Sequence, residues 1–174
     1  MRAKALAAAC IAIAAAAYVG LSAHVILRQD IQDLLACADQ GGLKIPLSRS
    51  LCREYLFTFR GTADDIATLH QGVGASFVLQ GRAPLTERER ILDFLVRKGL
   101  DVNRIDMHKL RPLHAAVLSN SPEEVVLLLR HGARPELPDE RYGQTPLELA
   151  LALERDERRQ AGREDLIALL RSAR

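Results

Sequence analysis

Gly99 and Gly132 stand 33 residues apart, and the segments around them, ERILDFLVRKGLDVN and PEEVVLLLRHGARPE, superimpose at that offset. A recurrence of this length restricts the fold more than composition does, because each unit is too short to bury its apolar face unless a neighbour stacks on it. Within the unit the signals are local. RPLHAAVL, from Arg111 to Leu118, keeps its apolar residues on one face, and Pro112 stands in the first turn, where a missing N–H costs nothing. Ser121-Pro122-Glu123-Glu124 has the spacing of a reciprocal capping box, with a Pro at N1 and a carboxylate at N3. VVLLL supplies a buried face and Gly132 a left-handed stop. Thr145-Pro146-Leu147-Glu148-Leu149-Ala150 repeats the first helix with Pro146 placed 34 residues after Pro112, so one residue is inserted, most simply Tyr142 in the turn. Glu164 to Leu170, EDLIALL, repeats the second helix.

These residues resemble the ankyrin repeat, whose pattern runs from a GADVN-like turn through a TPLHxAA helix to an EVVxLLLxxGA helix. The resemblance covers about half the chain. It implies an all-α fold, a short ankyrin-repeat solenoid of helix pairs that binds other proteins through its turn tips and the concave face of its first helices. The pattern has departures. Arg111 replaces the Thr that ordinarily bonds the motif histidine, so His114 is expected to lack its usual side-chain partner, and Glu148 replaces a second histidine. Pro135 and Pro138 remove backbone donors from the second turn, which predicts an irregular hairpin.

Upstream, the chain opens with Arg2 and Lys4 and then runs from Ala5 to Leu27 for 23 residues without a formal charge. As a helix this stretch reaches roughly 34 Å, enough to cross a bilayer core of about 30 Å. It reads as one N-terminal transmembrane helix over residues 1–28, with a cleaved signal peptide as the competing reading. Gly20-Leu21-Ser22 and Leu21-Ser22-Ala23 are imperfect cleavage sites, and the apolar run continues to Leu27. AAAC, ending at Cys10, hints at a lipoprotein box, but the apolar stretch before it is too short. Basic residues precede the span, which predicts that the bulk of the chain crosses the membrane. The Ala-, Leu- and Arg-rich usage reads as bacterial. The expected location is therefore the inner membrane, single-pass, with the C-terminal domain in the periplasm, or the periplasm itself if the segment is cleaved.

Between the span and the clear repeats, residues 29–85 read as a helical N-terminal cap with degenerate repeats, and residues 86–174 as ankyrin repeats. DIQDLLACADQ, from Asp30, has helical spacing and a Gly41-Gly42 stop, and a loop through Pro46 leads to a possible cap at Ser48. The helix after it places Leu51, Tyr55, Leu56 and Phe59 on one side and ends at Gly61. Thr62-Ala63-Asp64-Asp65 resembles another capped start. GASFVLQG, from Gly74, fits either a strand or a first helix, with repeat register favouring helix. Thr86-Glu87-Arg88-Glu89 reads as a capping box for a helix running to Lys98. The whole is expected to stack about four helix pairs. Glu154 to Arg163, almost all charge, reads as a solvated helix end and loop.

Charge and cysteine usage bear on partners. Setting aside Arg2 and Lys4 leaves 22 basic against 22 acidic residues, so the exported part is neutral and no nucleic acid is expected as partner. Cys37 and Cys52, fifteen apart, form a candidate disulfide in an oxidising compartment, with two buried thiols as the alternative. The five histidines show no metal-ligand spacing. No GxSxG, HExxH, P-loop or GxGxxG occurs, and Asp64-Asp65 and Glu123-Glu124 fall in first helical turns, where acids favour the N–H ends. The expectation is no catalysis, no metal and no cofactor.

The protein-binding residues expected at the turn tips are Arg104, Ile105, Met107, His108, Lys109, Arg141 and Tyr142, a mixture of apolar, aromatic and guanidinium groups enriched at interface centres. The expected partner is another protein, with residues 5–27 in the membrane. One reading is an immunity-type inhibitor that neutralises a cognate toxin, effector or enzyme. The other is a scaffold that docks onto an envelope complex.

Overall fold

The structure, a computed structural model, describes residues 2–40, 48–155 and 162–173, with the backbone alone at residues 2–8, 22 and 40. Among these residues there are ten helices and no strand: α1 (Arg2–Leu27), α2 (Ile31–Gln40), α3 (Ser48–Phe59), α4 (Ala63–Gln71), α5 (Gly74–Leu79), α6 (Leu85–Arg97), α7 (Pro112–Leu118), α8 (Pro122–Arg130), α9 (Pro146–Arg155) and α10 (Glu164–Ser172). They group into two compact units, Met1–Arg60 and Gly61–Arg174.

In the first unit α1 is helical along the whole apolar stretch, and 6% of its span Ala9–Leu27 is buried. Its final turn joins the core through Ile26. Asp30 caps α2 by accepting a hydrogen bond from the Asp33 amide at 2.8 Å, and the spacing read from the sequence becomes a buried face of Ile31, Leu34, Leu35 and Ala38. α3 turns Ser48, Cys52 and Leu56 inward. Cys37 and Cys52 form a disulfide with Cα atoms 5.9 Å apart, tying α2 to α3. Arg60 Nη1 donates to the Gln29 carbonyl at 2.8 Å. Gly41-Gly42 and the loop through Pro46 lie outside the described residues.

The second unit is layered. First helices α5, α7 and α9 pack side by side, each followed by its second helix, α6, α8 and α10, with α8 against α10 and the single helix α4 against α5. Among the described residues the unit thus holds three pairs and a lone leading helix, beside the about four pairs read from the sequence. Leu92, Leu95, Val117, Leu128, Ala150, Leu166 and Leu170 are each fully buried between the stacked helices. Gly99 and Gly132 take φ of 104° and 85°, the left-handed stops that let each second helix turn back into a loop. GASFVL is helical, as the repeat register requires.

Local capping follows the sequence in one case and departs from it in two. Thr62 and Asp65 form the full reciprocal box, with the Asp65 amide donating to Thr62 Oγ1 at 3.2 Å and the Thr62 amide to Asp65 Oδ2 at 3.0 Å. The Thr86 box does not form. α6 begins at Leu85 with Pro84 as N-cap, and the Pro84 carbonyl takes the Glu87 and Arg88 amides, so Thr86 already lies within the first turn. The Ser121 box is half made: Ser121 Oγ accepts the Glu124 amide, but the Glu124 carboxylate turns to Arg88 Nη1 at 2.9 Å. Arg88 is drawn there because its guanidinium also donates to the Ala83 and Leu79 carbonyls, which closes the end of α5.

Glu154, Arg155 and Gly162 are exposed, as the solvated reading of Glu154–Arg163 expects, but Arg163 departs from it. It is 5% exposed, and its Nη1 donates to the Val117 carbonyl at 2.7 Å, beside the Asn120 amide that the same carbonyl accepts at 3.2 Å. Asp156 to Ala161, which belong to the same reading, lie outside the described residues.

Candidate protein-binding site

Two loops project from the second unit, after α6 and after α8, and they share one construction. In the first, the Asp106 amide donates to the Leu110 carbonyl at 2.8 Å, and Asp106 Oδ1 accepts from the His108 and Leu110 amides at 2.8 and 3.0 Å. Lys109 takes φ of 63° to close it. In the second, the Asp139 amide donates to the Gln144 carbonyl at 3.2 Å, Asp139 Oδ1 accepts from the Tyr142 amide at 3.0 Å, and Gly143 takes φ of 64°. The two aspartates are 33 residues apart and the two left-handed residues 34 apart, so the inserted residue lies between Asp139 and Gly143, at the tip where Tyr142 stands.

The loops are bonded to each other. The Glu140 and Arg141 amides both donate to the Lys109 carbonyl, at 3.2 and 3.1 Å, and the Met107 amide donates to the Gly72 carbonyl at 3.0 Å. Asn103 spans the gap behind them, its Nδ2 donating to the Gly132 carbonyl at 3.0 Å and its Oδ1 accepting from the Arg134 amide at 2.7 Å. Arg111 does the same nearer the tips, through Nε to the Pro138 carbonyl at 2.8 Å and Nη1 to the Asn103 carbonyl. Buried beneath is His114, whose Nε2–H donates to the Gln144 carbonyl at 2.8 Å while Nδ1 has no partner. Burial holds the imidazole below its ordinary pKa, so it is the neutral form that this hydrogen bond fixes.

The expected binding residues separate by height on this ridge. Met107 is 65% exposed and Tyr142 43%, with His108, Lys109 and Arg141 exposed beside them. The Arg141 guanidinium lies 5.7 Å from the centre of the Tyr142 ring, a cation–π pair that presents both groups together. Lower down, Ile105 is half-buried, and Arg104 is exposed but donates from Nε to the His70 carbonyl at 3.2 Å. Beside the second tip a groove of about 460 Å³ is lined by Gly143, Gln144, Glu148, Leu151, Ala152 and Arg155.

Residues 95–150 match the family model for ankyrin repeats (many copies). This stretch carries ankyrin repeats. The matched segment runs from within α6 to within α9 and contains both loops entire, so the ridge just described is the part that the ankyrin pattern governs. The repeats make this a protein-interaction module. Where the ankyrin resemblance implies a threonine bonding the buried histidine, Arg111 instead ties neighbouring loops, which accounts for the unpartnered His114 Nδ1. Glu148, at the second histidine position, caps α9: the Thr145 amide and hydroxyl donate to Glu148 Oε2 at 2.8 and 2.9 Å. The groove residues Glu148, Ala152 and Arg155 were not among the expected binding residues, although their i, i+4, i+7 spacing marks the outward face of α9 opposite Leu147 and Ala150.

Proposed function

We propose that this ankyrin module is non-catalytic, tethered to the inner membrane by α1 and facing the periplasm, and that it binds and neutralises a toxin, effector or enzyme through its ridge of loop tips. The observation that carries the reading is the ridge itself: Met107, His108, Lys109, Arg141 and Tyr142 stand exposed on loops whose backbones are bonded to one another. A backbone ordered before binding loses little further entropy on binding, which leaves only the side chains to be fixed. Tethering is supported by a 19-residue apolar stretch of α1 preceded by basic residues, and a periplasmic side by that charge asymmetry and by the Cys37–Cys52 disulfide.

Photocrosslinking in membranes tests it. A crosslinker at Met107 and at Tyr142 is expected to trap the same protein, one at exposed Ala168 of α10 is expected to trap none, and the trapped protein's activity is expected to fall on saturation. Undiminished activity at saturation replaces the inhibitor by a scaffold, and equal trapping from Ala168 removes the ridge as the site.

A further inference from the structure

The first unit has an apolar face that its own core does not use. Leu51, Tyr55 and Phe59 recur at i, i+4 and i+8 along α3, with Leu51 41% exposed, Phe59 67% exposed and the Tyr55 and Phe59 rings 5.4 Å apart. The neighbouring face of the helix, with Cys52 and Leu56, is already buried. Because the disulfide fixes α3 to α2, the helix cannot roll to hide the stripe.

What covers the stripe is indicated by what it joins. With Tyr18, Val19, Ala23, Ile26 and Leu27 of α1 it lines a single groove of about 390 Å³ in which no charged side chain takes part. Val19 and Leu27 belong to the apolar span, so whatever solvates that span also reaches Leu51 and Phe59. From Tyr18 to Leu27 the helix rises roughly 14 Å, about the thickness of one leaflet's hydrocarbon.

We infer that α3 is an interfacial foot: Leu51, Tyr55 and Phe59 sit in the headgroup and upper acyl region of the leaflet from which α1 emerges, so the first unit contacts the bilayer along two helices. This rests on α1 being the membrane anchor proposed above. The foot fixes the orientation of the first unit at the surface, which a single span on a free linker would not.

The chain has no tryptophan, so single Trp variants of the full chain report unambiguously. In vesicles of phosphatidylcholine and phosphatidylglycerol, Leu21→Trp reports on the anchor, Phe59→Trp on the foot and Ser50→Trp on the far side of α3. Phosphatidylcholine brominated on its acyl chains is expected to quench Leu21→Trp and Phe59→Trp several-fold more than Ser50→Trp, with Phe59→Trp quenched best by bromines near the headgroup end. Quenching of Leu21→Trp without Phe59→Trp overturns the foot and leaves the anchor. Quenching of neither overturns both. A blue-shifted Phe59→Trp that ignores bromine but follows the protein-to-lipid ratio assigns the groove to a second copy of the chain, and so overturns the foot as well.

Discussion

Beneath the loop tips, His114 couples stability to pH through one buried hydrogen bond. Its folded pKa is held below the ordinary 6.5 by burial, so the unfolded chain binds the proton first. Its contribution is therefore fully present above 6.5 and is lost as pH falls from there toward the depressed folded value. The melting temperature is expected to fall over that window in wild type and to change less in His114→Gln. At neutral pH that variant should be less stable by about 1 kcal/mol, the usual net worth of one hydrogen bond. Glu124 works in the opposite sense. Burial raises its pKa against the pull of Arg88, so its ionised form costs stability and the cost eases as pH falls toward the ordinary 4.5. Arg88→Ala removes the facing cation and should destabilise by about 3 kcal/mol at neutral pH. Loss of Arg97, whose partner Asp93 is exposed, should cost under about 1 kcal/mol. Equal losses for the two arginines in denaturant titrations would show that Glu124 is not desolvated. The sequence displayed Glu124 as a capping residue but not its ion pair, since nothing in local spacing points to an arginine 36 positions earlier.

At the scale of helices, the elements best legible in the sequence are those whose start, face and stop are encoded within one turn of themselves. α7 and α8 begin at Pro112 and Pro122 as read, and the Gly99 and Gly132 stops take the left-handed backbone that was expected. The misreadings share a cause. Thr86 loses its cap because the helix starts two residues earlier, with Pro84 as its N-cap, and Arg163 is buried because a carbonyl 46 residues away, on Val117, claims it. Both depend on neighbours that the pattern does not contain. The candidate site divides likewise: the exposed tips could be read from turn signals, whereas the bonds from Lys109 to Glu140 and Arg141 belong to stacking. Two element-scale predictions follow from burial. Leu128→Ala, at a fully buried position, should cost about 2–5 kcal/mol, against under about 0.5 kcal/mol for Met107→Ala at a tip, both measured by chemical denaturation. Serine at both Cys37 and Cys52 should lower the stability of the first unit by about 3 kcal/mol for a loop of this size, and reducing agent should lower wild type to match.

Taken as a whole molecule, the chain separates what folds it from what it presents. The stacked helices of the second unit are held by aliphatic side chains, while the loops are held by backbone atoms and by Asp106, Asp139, Asn103 and Arg111. Met107, His108, Arg141 and Tyr142 contribute backbone amides to that frame, and their side chains reach solvent. Replacing those four side chains by serine should therefore leave the helical circular dichroism and the melting temperature close to wild type. If the ridge is the binding surface, the same variant should lose partner capture by a hundredfold or more, because aromatic and arginine anchors at an interface centre are each worth about 2 kcal/mol or more. Asn103→Ala supplies the contrast. It keeps every tip side chain but cuts the bonds to Gly132 and Arg134, so it should lower the melting temperature by several degrees and weaken capture only in proportion to the disorder it causes. A folded four-fold serine variant that still captures its partner would move the site off the ridge, and the groove along Glu148, Leu151 and Arg155 is then the next surface to substitute.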